Sequence, residues 1–364
     1  MQLTRLGWNP LIASQFSEVA APGIEPARVT LRHSQIYRVS AERGDLLAEV
    51  AGRLRHHATG AHELPAVGDW VAIKPAGAGK AIIRAVLPRS SKFSRKAAGR
   101  VSEEQVVAAN VDTVLLVAGL DNDYSPRRIE RYLVMAYESG AVPVVVLNKA
   151  DLCPDAQIEA RAAEVRSVAL GVPVHIMSAA GGAGLEQLAR YVVPGRTAAL
   201  LGSSGVGKST IINRLLGADA LPTRPVREHD QTGRHATTHR ELLIVPPGPL
   251  TPEGGLIIDT PGMRELQLWD AGEGMHAAFD EIQTLAAACR FSGCSHHGEP
   301  GCAVEQAVIA GGLAAERLES FRKLQRELAW QETRIDKWAE LERKRKWKTI
   351  HKAARKYVKP RDSG

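Results

Sequence analysis

Five short apolar runs, separated by Gly- and Pro-containing turns, lie within residues 28–97. Each run is long enough for one strand, and several short strands at this spacing are typical of a small β-barrel. The pattern predicts a barrel, with an OB-like barrel as the first interpretation and an SH3-like barrel as an alternative. The runs are Val29–Leu31, Tyr37–Val39, Leu46–Val50, Asp69–Ile73 and Ala81–Val86.

From residue 98 to residue 275, apolar runs of strand length alternate with helical segments. Strands that alternate with helices predict a parallel sheet covered on both faces, and hence an α/β domain. The predicted strands are Val111–Leu120, Val142–Leu147, Pro173–Met177, Thr197–Leu201 and Leu256–Ile258. The segments between them are Arg127–Ser139, Ala156–Leu170, Leu185–Tyr191 and Thr210–Leu216.

The remaining parts of the chain show no strand pattern. Residues 1–27 have no clear period and are interpreted as a leader, whereas the polar stretch Ser90–Arg100 is interpreted as a linker. After about Glu273 the pattern is mostly helical, and we divide it into a cysteine-containing domain and a basic C-terminal helix or tail. These two parts cover residues 276–335 and 336–364, with helices predicted over Glu305–Glu327 and Glu332–Lys356.

Positive charge is concentrated at the C-terminus. The chain has 47 Lys and Arg against 40 Asp and Glu, a net charge of +7. Residues 343–364 alone hold ten Lys or Arg and one Asp, so the rest of the chain is slightly acidic. Such a segment is either a solvated end or an arm that contacts phosphates. The interleaved Trp347 and Tyr357 favour nucleic acid, because aromatic rings stack on bases.

Composition excludes several classes of protein. Hydrophobic residues make up 44% and charged residues 24% of the chain, which is ordinary for a globular protein and excludes wholesale disorder. No apolar run approaches the roughly 18 residues that cross a bilayer. The first residues also lack the apolar block of a signal peptide. We therefore expect a cytoplasmic protein without membrane association.

A phosphate-binding loop follows the predicted strand Thr197–Leu201. Its glycines let consecutive backbone N–H groups turn toward phosphate oxygens, and the next helix directs its positive end at the same charge. Lys208 is expected to contact the β- and γ-phosphates as a catalytic residue, and the Ser209 hydroxyl to bind Mg²⁺. The motif comprises Gly202, Ser203, Ser204, Gly205, Val206, Gly207, Lys208, Ser209 and Thr210.

A second motif indicates that the base is guanine. Asn148, Lys149 and Asp151 follow the predicted strand Val142–Leu147. The Asp151 carboxylate can accept bonds from the N1–H and 2-amino groups of guanine, whereas adenine offers neither donor and leaves the acceptor unpaired. Asn148 can contact the other base edge and the Lys149 stem can cover the ring. About 30 residues later, Ser178 and Ala179 again follow a strand, and the Ala179 amide suits the 6-oxo group.

The remaining Mg²⁺ and γ-phosphate contacts are expected from two further loops. Asp259 follows the strand Leu256–Ile258 and can hold Mg²⁺ through a water, while the Gly262 amide can contact the γ-phosphate. Thr238, or alternatively Thr237, can supply a second hydroxyl to the metal. Loops held only by such contacts are released on hydrolysis.

Three of the four cysteines lie close together. Cys289, Cys294 and Cys302, with a histidine between them, supply the thiolates and imidazole of a tetrahedral Zn²⁺ site. Four protein ligands leave no open position, so we expect one structural zinc ion. His296 and His297 are alternative fourth ligands.

The order of these motifs is unusual, because the base-reading motifs precede the phosphate loop. A sheet tolerates such a circular permutation when neighbouring strands keep their places. The barrel, permuted motifs and cysteine cluster together resemble the bacterial family of ribosome small-subunit-dependent GTPase A, from about Arg28 onward.

The resemblance implies a late maturation factor of the small ribosomal subunit, a GTP hydrolase that binds GTP and GDP. It implies an OB-fold that contacts ribosomal RNA, hydrolysis stimulated by the subunit and coupled to release, and His296 as the zinc ligand. Met263 occupies the position where many GTPases have a water-orienting Gln, and the family's substitute histidine corresponds to His235 here. We expect a monomer. The alternative is a guanine-nucleotide-controlled RNA-binding module whose hydrolysis is incidental.

Overall fold

The computed structural model of the chain describes residues 3–96, 104–221, 240–259 and 272–330. A 3-10 turn (Leu3–Leu6) and helix α1 (Pro10–Ser17) come first. Asn9 caps α1 by accepting a bond from the Ile12 N–H at 3.1 Å. The leader, residues 1–27, whose sequence shows no clear period, therefore contains regular structure. An eight-residue helix is too short to show a period, and Trp8 anchors it by packing edge-on against Trp70 of the barrel.

Five strand pairs, four antiparallel and one parallel, close the predicted barrel. β1 pairs with β2 and β2 with β3, β3 runs parallel to β5, β5 pairs with β4, and β4 returns to β1. This closed five-stranded order confirms the OB-like interpretation. The elements are β1 (Glu25–His33), β2 (Ile36–Ala41), β3 (Gly44–Val50), α2 (Gly52–His57), β4 (Trp70–Pro75) and β5 (Lys80–Val86).

The described part of the stretch interpreted as a linker forms one strand of a hairpin, which corrects the prediction for Ser90–Arg100 as far as Lys96. β6 (Lys92–Lys96) pairs antiparallel with β7 (Glu104–Ala109). The charged residues concealed this strand in the sequence, because Phe93 is its one large apolar side chain and it is buried. Lys92 lies on the exposed side, where its ammonium is 2.9 Å from the Glu104 carboxylate.

A six-stranded α/β sheet follows, in the order β10-β9-β8-β11-β13-β12. All its strands are parallel except β12, which pairs antiparallel with β13. The carboxyl ends of the parallel strands therefore meet at one edge. The elements are β8 (Thr113–Gly119), α3 (Pro126–Ser139), β9 (Val142–Asn148), α4 (Asp155–Val168), β10 (Val174–Ile176), the 3-10 helix Leu185–Tyr191, β11 (Thr197–Gly202), α5 (Lys208–Leu216), β12 (Arg240–Val245) and β13 (Gly255–Asp259).

The barrel is joined to this sheet through backbone pairing and one buried arginine. β1 pairs with β12, so the barrel strands continue the α/β sheet. The Arg28 guanidinium is buried at the junction and donates to the Leu6, Gly68 and Asn110 carbonyls and to the Thr197 hydroxyl. Burial lowers the pKa of Arg28 to about 10, against the opposing charges of nearby aspartates, so the side chain remains a cation at neutral pH.

The C-terminal part is helical, as predicted, but its first long helix is interrupted. α8 ends at Ile309 and a second helix covers residues 315–330, so a continuous Glu305–Glu327 helix is wrong. The reason is Gly311, whose φ of +76° lies in the left-handed region that ends helices. The elements are α6 (Gly272–Ala278), α7 (Asp280–Ala286) and α8 (Ala303–Ile309). Among the described helices, none has the length and apolarity to cross a bilayer.

Candidate nucleotide site and metal centre

The predicted phosphate loop connects β11 to α5 at the carboxyl edge of the sheet. Gly205 and Gly207 have φ values of +72° and +100°, which only glycine adopts without strain. The Lys208 ammonium lies across the loop, donating to the Gly202 carbonyl at 2.8 Å and the Ser203 carbonyl at 2.6 Å. The loop therefore has the curvature and the cation that phosphate binding requires.

One buried side chain connects the phosphate loop to the loop that follows β10. The Asn148 amide donates to the Val206 carbonyl at 2.8 Å, and its oxygen accepts from the Ala179 N–H at 2.9 Å. Asn148 is 2% exposed, and a methyl group on Gly207 would lie 2.3 Å from its amide nitrogen. Asn148 thus holds the loops from the two motifs side by side and leaves room only for glycine at position 207.

The other predicted base-contacting residues lie around Asn148. Asp151 is exposed in the short 3-10 helix Ala150–Leu152 after β9, and one of its carboxylate oxygens accepts from the Ser178 hydroxyl at 2.5 Å. Lys149 has a left-handed backbone, with φ of +64°, and its ammonium lies 2.6 Å from the Asp121 carboxylate. The two motifs, which are about 30 residues apart in the chain, therefore form one continuous surface.

Asp259 ends β13 at the same edge of the sheet. Burial raises the pKa of Asp259 to about 6; the Lys208 charge opposes this effect and the Glu241 charge adds to it. Ser209 lies in the first turn of α5. Hydroxyl and carboxylate oxygens are ligands that Mg²⁺ prefers, so this pair fits the metal chemically. The predicted contributions of Gly262, His235, Thr237, Thr238 and Met263 fall on residues outside the described ranges.

The four predicted zinc ligands converge. The ligand atoms of Cys289, Cys294, His296 and Cys302 all lie within 4.8 Å of one another. His296 Nδ1 is 3.7 Å from the Cys289 sulfur and 3.4 Å from the Cys302 sulfur. His297 is exposed, and its Nδ1 faces the Ser295 carbonyl at 2.7 Å. Of the two alternative histidines, the geometry favours His296.

Two members of this cluster, Cys289 and His296, are held toward the form that binds a metal, whereas burial raises the pKa of the Cys294 thiol to about 11. Burial raises the pKa of the Cys289 thiol, but backbone N–H groups of Val304 and Ala303 outweigh it and leave that pKa lowered. The Glu305 N–H likewise donates to the Cys302 sulfur at 3.4 Å. Burial lowers the pKa of His296, which keeps the imidazole neutral and able to ligate. Three thiolates and one neutral imidazole suit tetrahedral Zn²⁺.

Two acidic residues that the motifs did not reveal also belong to this edge. Asp121 and Asp123 follow β8, and they contact Lys149 and Ser203 respectively. Their position directly after a predicted buried strand was the one available signal, because neither belongs to a recognised motif.

A phosphate loop and a base loop at one edge of a parallel sheet, in permuted chain order, define a circularly permuted P-loop GTPase. The family described as RsgA GTPase matches residues 86–269. A protein of Opitutus terrae named small ribosomal subunit biogenesis GTPase RsgA is 48% identical, over 98% of this chain and 97% of its own length. A protein of the same name from Syntrophotalea carbinolica is 43% identical over the whole of both chains. The chain belongs to the RsgA GTPase family, and the resemblance inferred from its motifs is confirmed.

Solved structures agree with this assignment. The crystal structure of YjeQ from Thermotoga maritima superimposes with a TM-score of 0.62 at 29% identity, covering 84% of this chain and 99% of that one. YloQ, described as a circularly permuted GTPase, has the same fold, with a TM-score of 0.60 at 22% identity. The predicted architecture is thereby confirmed, and membership of the RsgA GTPase family confirms the prediction of a GTPase.

The contact between Gly207 and Asn148 leads to a stability prediction. Gly205→Ala and Gly207→Ala both force a left-handed alanine, but open space surrounds the new methyl group at position 205 alone. We expect Gly207→Ala to lose about 2 kcal/mol more unfolding free energy than Gly205→Ala, because it displaces the buried Asn148 amide. Urea unfolding of nucleotide-free protein measures the difference. Equal losses would show that Asn148 moves aside freely.

The zinc cluster gives a second prediction with a neighbouring control. Wild type and His297→Ala should each hold one zinc ion per chain, whereas His296→Ala should lose most of it, because only His296 faces the three thiols. Elemental analysis after dialysis against a weak chelator measures the stoichiometry. The reverse pattern, with zinc lost from His297→Ala, would contradict the assignment.

Proposed function

We propose that this chain binds and hydrolyses GTP at the edge of its α/β sheet and acts as a late maturation factor of the small ribosomal subunit. The observation that carries the site is the double hydrogen bond of Asn148, which places the phosphate loop beside the loop of Ala179. One nucleotide can then contact both loops. The relatives' name, small ribosomal subunit biogenesis GTPase, supplies the process.

The base-binding half of the proposed site selects guanine. Asp151 accepts bonds from the N1–H and 2-amino groups, and the Ala179 N–H contacts the 6-oxo group. The Ser178 hydroxyl, which already donates to Asp151, orients the carboxylate. The Lys149 stem covers one face of the ring. A site built around such an acceptor rejects adenine by on the order of a thousand-fold or more, because the carboxylate is otherwise left unpaired.

The phosphate half uses residues Gly202 to Thr210. Backbone N–H groups of the loop and the first turn of α5 bind the β-phosphate, and Lys208 moves from the loop carbonyls onto the β- and γ-phosphates. Mg²⁺, when bound, would neutralise charge that develops on the phosphates. Ser209 and Thr238 would supply its hydroxyl ligands, and Asp259 would hold it through a water. Gly262 contacts the γ-phosphate, and His235 orients the attacking water.

The barrel offers a surface suited to ribosomal RNA. Every second residue of β5 is exposed on one side of the strand, namely Lys80, Ile82 and Arg84. Lys74 of the neighbouring strand β4 pairs with Ile82. Exposed cations beside apolar side chains are suited to contacts with phosphates and bases. The basic residues 343–364 add charge to the same chain. In this proposal the protein acts as a cytoplasmic monomer, and GTP hydrolysis releases it from the small subunit. The zinc ion stabilises the segment after α7.

Base selection is tested by changing its single acceptor. Asp151→Asn should lower GTP affinity on the order of a thousand-fold and favour xanthosine triphosphate, because an amide donates to a 2-oxo group where the carboxylate accepted from an amine. Asp155→Asn, exposed in the first turn of α4, is the matched control and should bind GTP as wild type does. Titration calorimetry with GTP, ATP and the xanthosine nucleotide measures this. Equal capture of ATP and GTP by wild type would refute the site.

The cellular role is tested by turnover with isolated ribosomal subunits. Small subunits should raise GTP turnover by wild type, large subunits should not, and Lys208→Ala should abolish the effect by removing the phosphate-contacting cation. Co-sedimentation with GDP and with a non-hydrolysable GTP analogue should show retention only with the analogue. Nucleotide-dependent binding without stimulated turnover would favour the alternative of an RNA-binding module with incidental hydrolysis. Full activity of His235→Ala would remove that residue from the mechanism.

A further inference from the structure

The loop after β8, residues 120–125, lies between the two halves of the proposed nucleotide site. β8 is the strand between β9, which ends at Asn148, and β11, which leads into the phosphate loop. Its carboxyl end therefore faces the space between base and phosphates, where ligands of parallel sheets bind. The backbone confirms the closeness, since the Leu120 N–H donates to the Asn148 carbonyl at 2.8 Å.

Two carboxylates of this loop contact the two halves separately. Asp121 accepts from the Lys149 ammonium at 2.6 Å, in a pair whose side chains are only 15% and 21% exposed. Burial raises the pKa of Asp121, but the Lys149 bond and the Asp123 backbone N–H outweigh it, so the pKa falls and the carboxylate stays ionised. Asp123 accepts from the hydroxyl of Ser203 in the phosphate loop.

Side chains of helices α3 and α4 hold the loop after β8 in place. Arg128 of α3 lies 2.6 Å from the Asp123 carboxylate. Arg161 of α4 donates to the Leu120 carbonyl at 2.7 Å and stacks on Tyr124, whose hydroxyl donates back to the Arg161 carbonyl. The position of Asp121 is thus fixed from two helices before any ligand binds.

We propose that Asp121 is a positioning residue for guanine binding, which holds Lys149 so that its alkyl stem lies ready across one face of the base. The inference rests on the proposed nucleotide site and deepens it. A lysine side chain loses conformational entropy when its stem is ordered. Because the Asp121 contact already orders the Lys149 side chain in the free protein, less of that entropy is lost when the nucleotide binds. The effect falls on nucleotide affinity, because the base is remote from the bond that hydrolysis breaks.

A double-mutant cycle tests the coupling. Asp121→Asn and Lys149→Met each remove the ion pair, and methionine keeps an apolar stem. We expect Asp121→Asn to weaken GDP binding about tenfold, the scale of one hydrogen bond to a charged group. The double variant should bind GDP as Lys149→Met alone does, because Asp121 acts through that lysine. Asn122→Ala, exposed on the same loop, is the control and should match wild type.

Turnover kinetics separate positioning from general damage. Asp121→Asn should raise KM for GTP about tenfold and leave kcat unchanged, because chemistry occurs at the γ-phosphate. Gly119→Ala should reproduce this split, since its new methyl group would lie 2.5 Å from the Asp121 carboxylate and displace it. Thermal unfolding of each variant checks the fold.

Each outcome has one meaning. Additive losses in the double variant, or unchanged GDP affinity in a folded Asp121→Asn protein, would overturn the inference while the nucleotide site stands. Failure of wild type to bind GDP would instead refute the proposed function.

Discussion

The structure depends on four of the five parallel strands, whose carboxyl ends meet at one edge. β11, β8, β9 and β10 lie side by side, and the loops that follow them form one surface. The Asn148 side chain fixes that surface by bonding to both the Val206 carbonyl and the Ala179 N–H. These contacts depend on which strands are neighbours and not on their order in the chain. The permuted sequence can therefore build the same site as an unpermuted one.

The same sheet also connects the site to the barrel. Glu241 of β12 pairs with Asp259 on one side and with Leu31 of the barrel on the other, and its side chain accepts from Arg38. Asp259 ends the strand that leads into the expected γ-phosphate contact. Because β12 pairs with both β13 and β1, a hydrogen-bonded path runs from Asp259 to the barrel across a single intervening strand. The proposed nucleotide site is thus separated from the barrel by β12 alone.

The sequence predicted the elements and residues whose chemistry is local. The phosphate loop, the Asn148 motif and the zinc ligands are short patterns in which each residue type has one physical reason. Long apolar strands such as β9 are equally predictable, because an uninterrupted apolar run indicates a buried strand. Asp121 could not be found in this way, because its importance comes from β8 lying between β9 and β11, a fact of topology. α1 and β6 were missed because their few buried side chains, such as Phe93, lie among polar neighbours and show no period.

Helix α3 shows why the C-terminal part matters to the nucleotide site. Near its start, Arg128 holds Asp123. Two residues further along, Glu130 is buried against Arg317 of the helix over residues 315–330, at 2.7 Å. The Arg317 guanidinium also covers Phe279 and bonds to Glu281. Removal of Arg317 leaves the buried Glu130 charge uncompensated, so the pair fixes geometry more than it adds stability. The helices after β13 are therefore fixed to α3, the helix whose Arg128 holds the loop after β8.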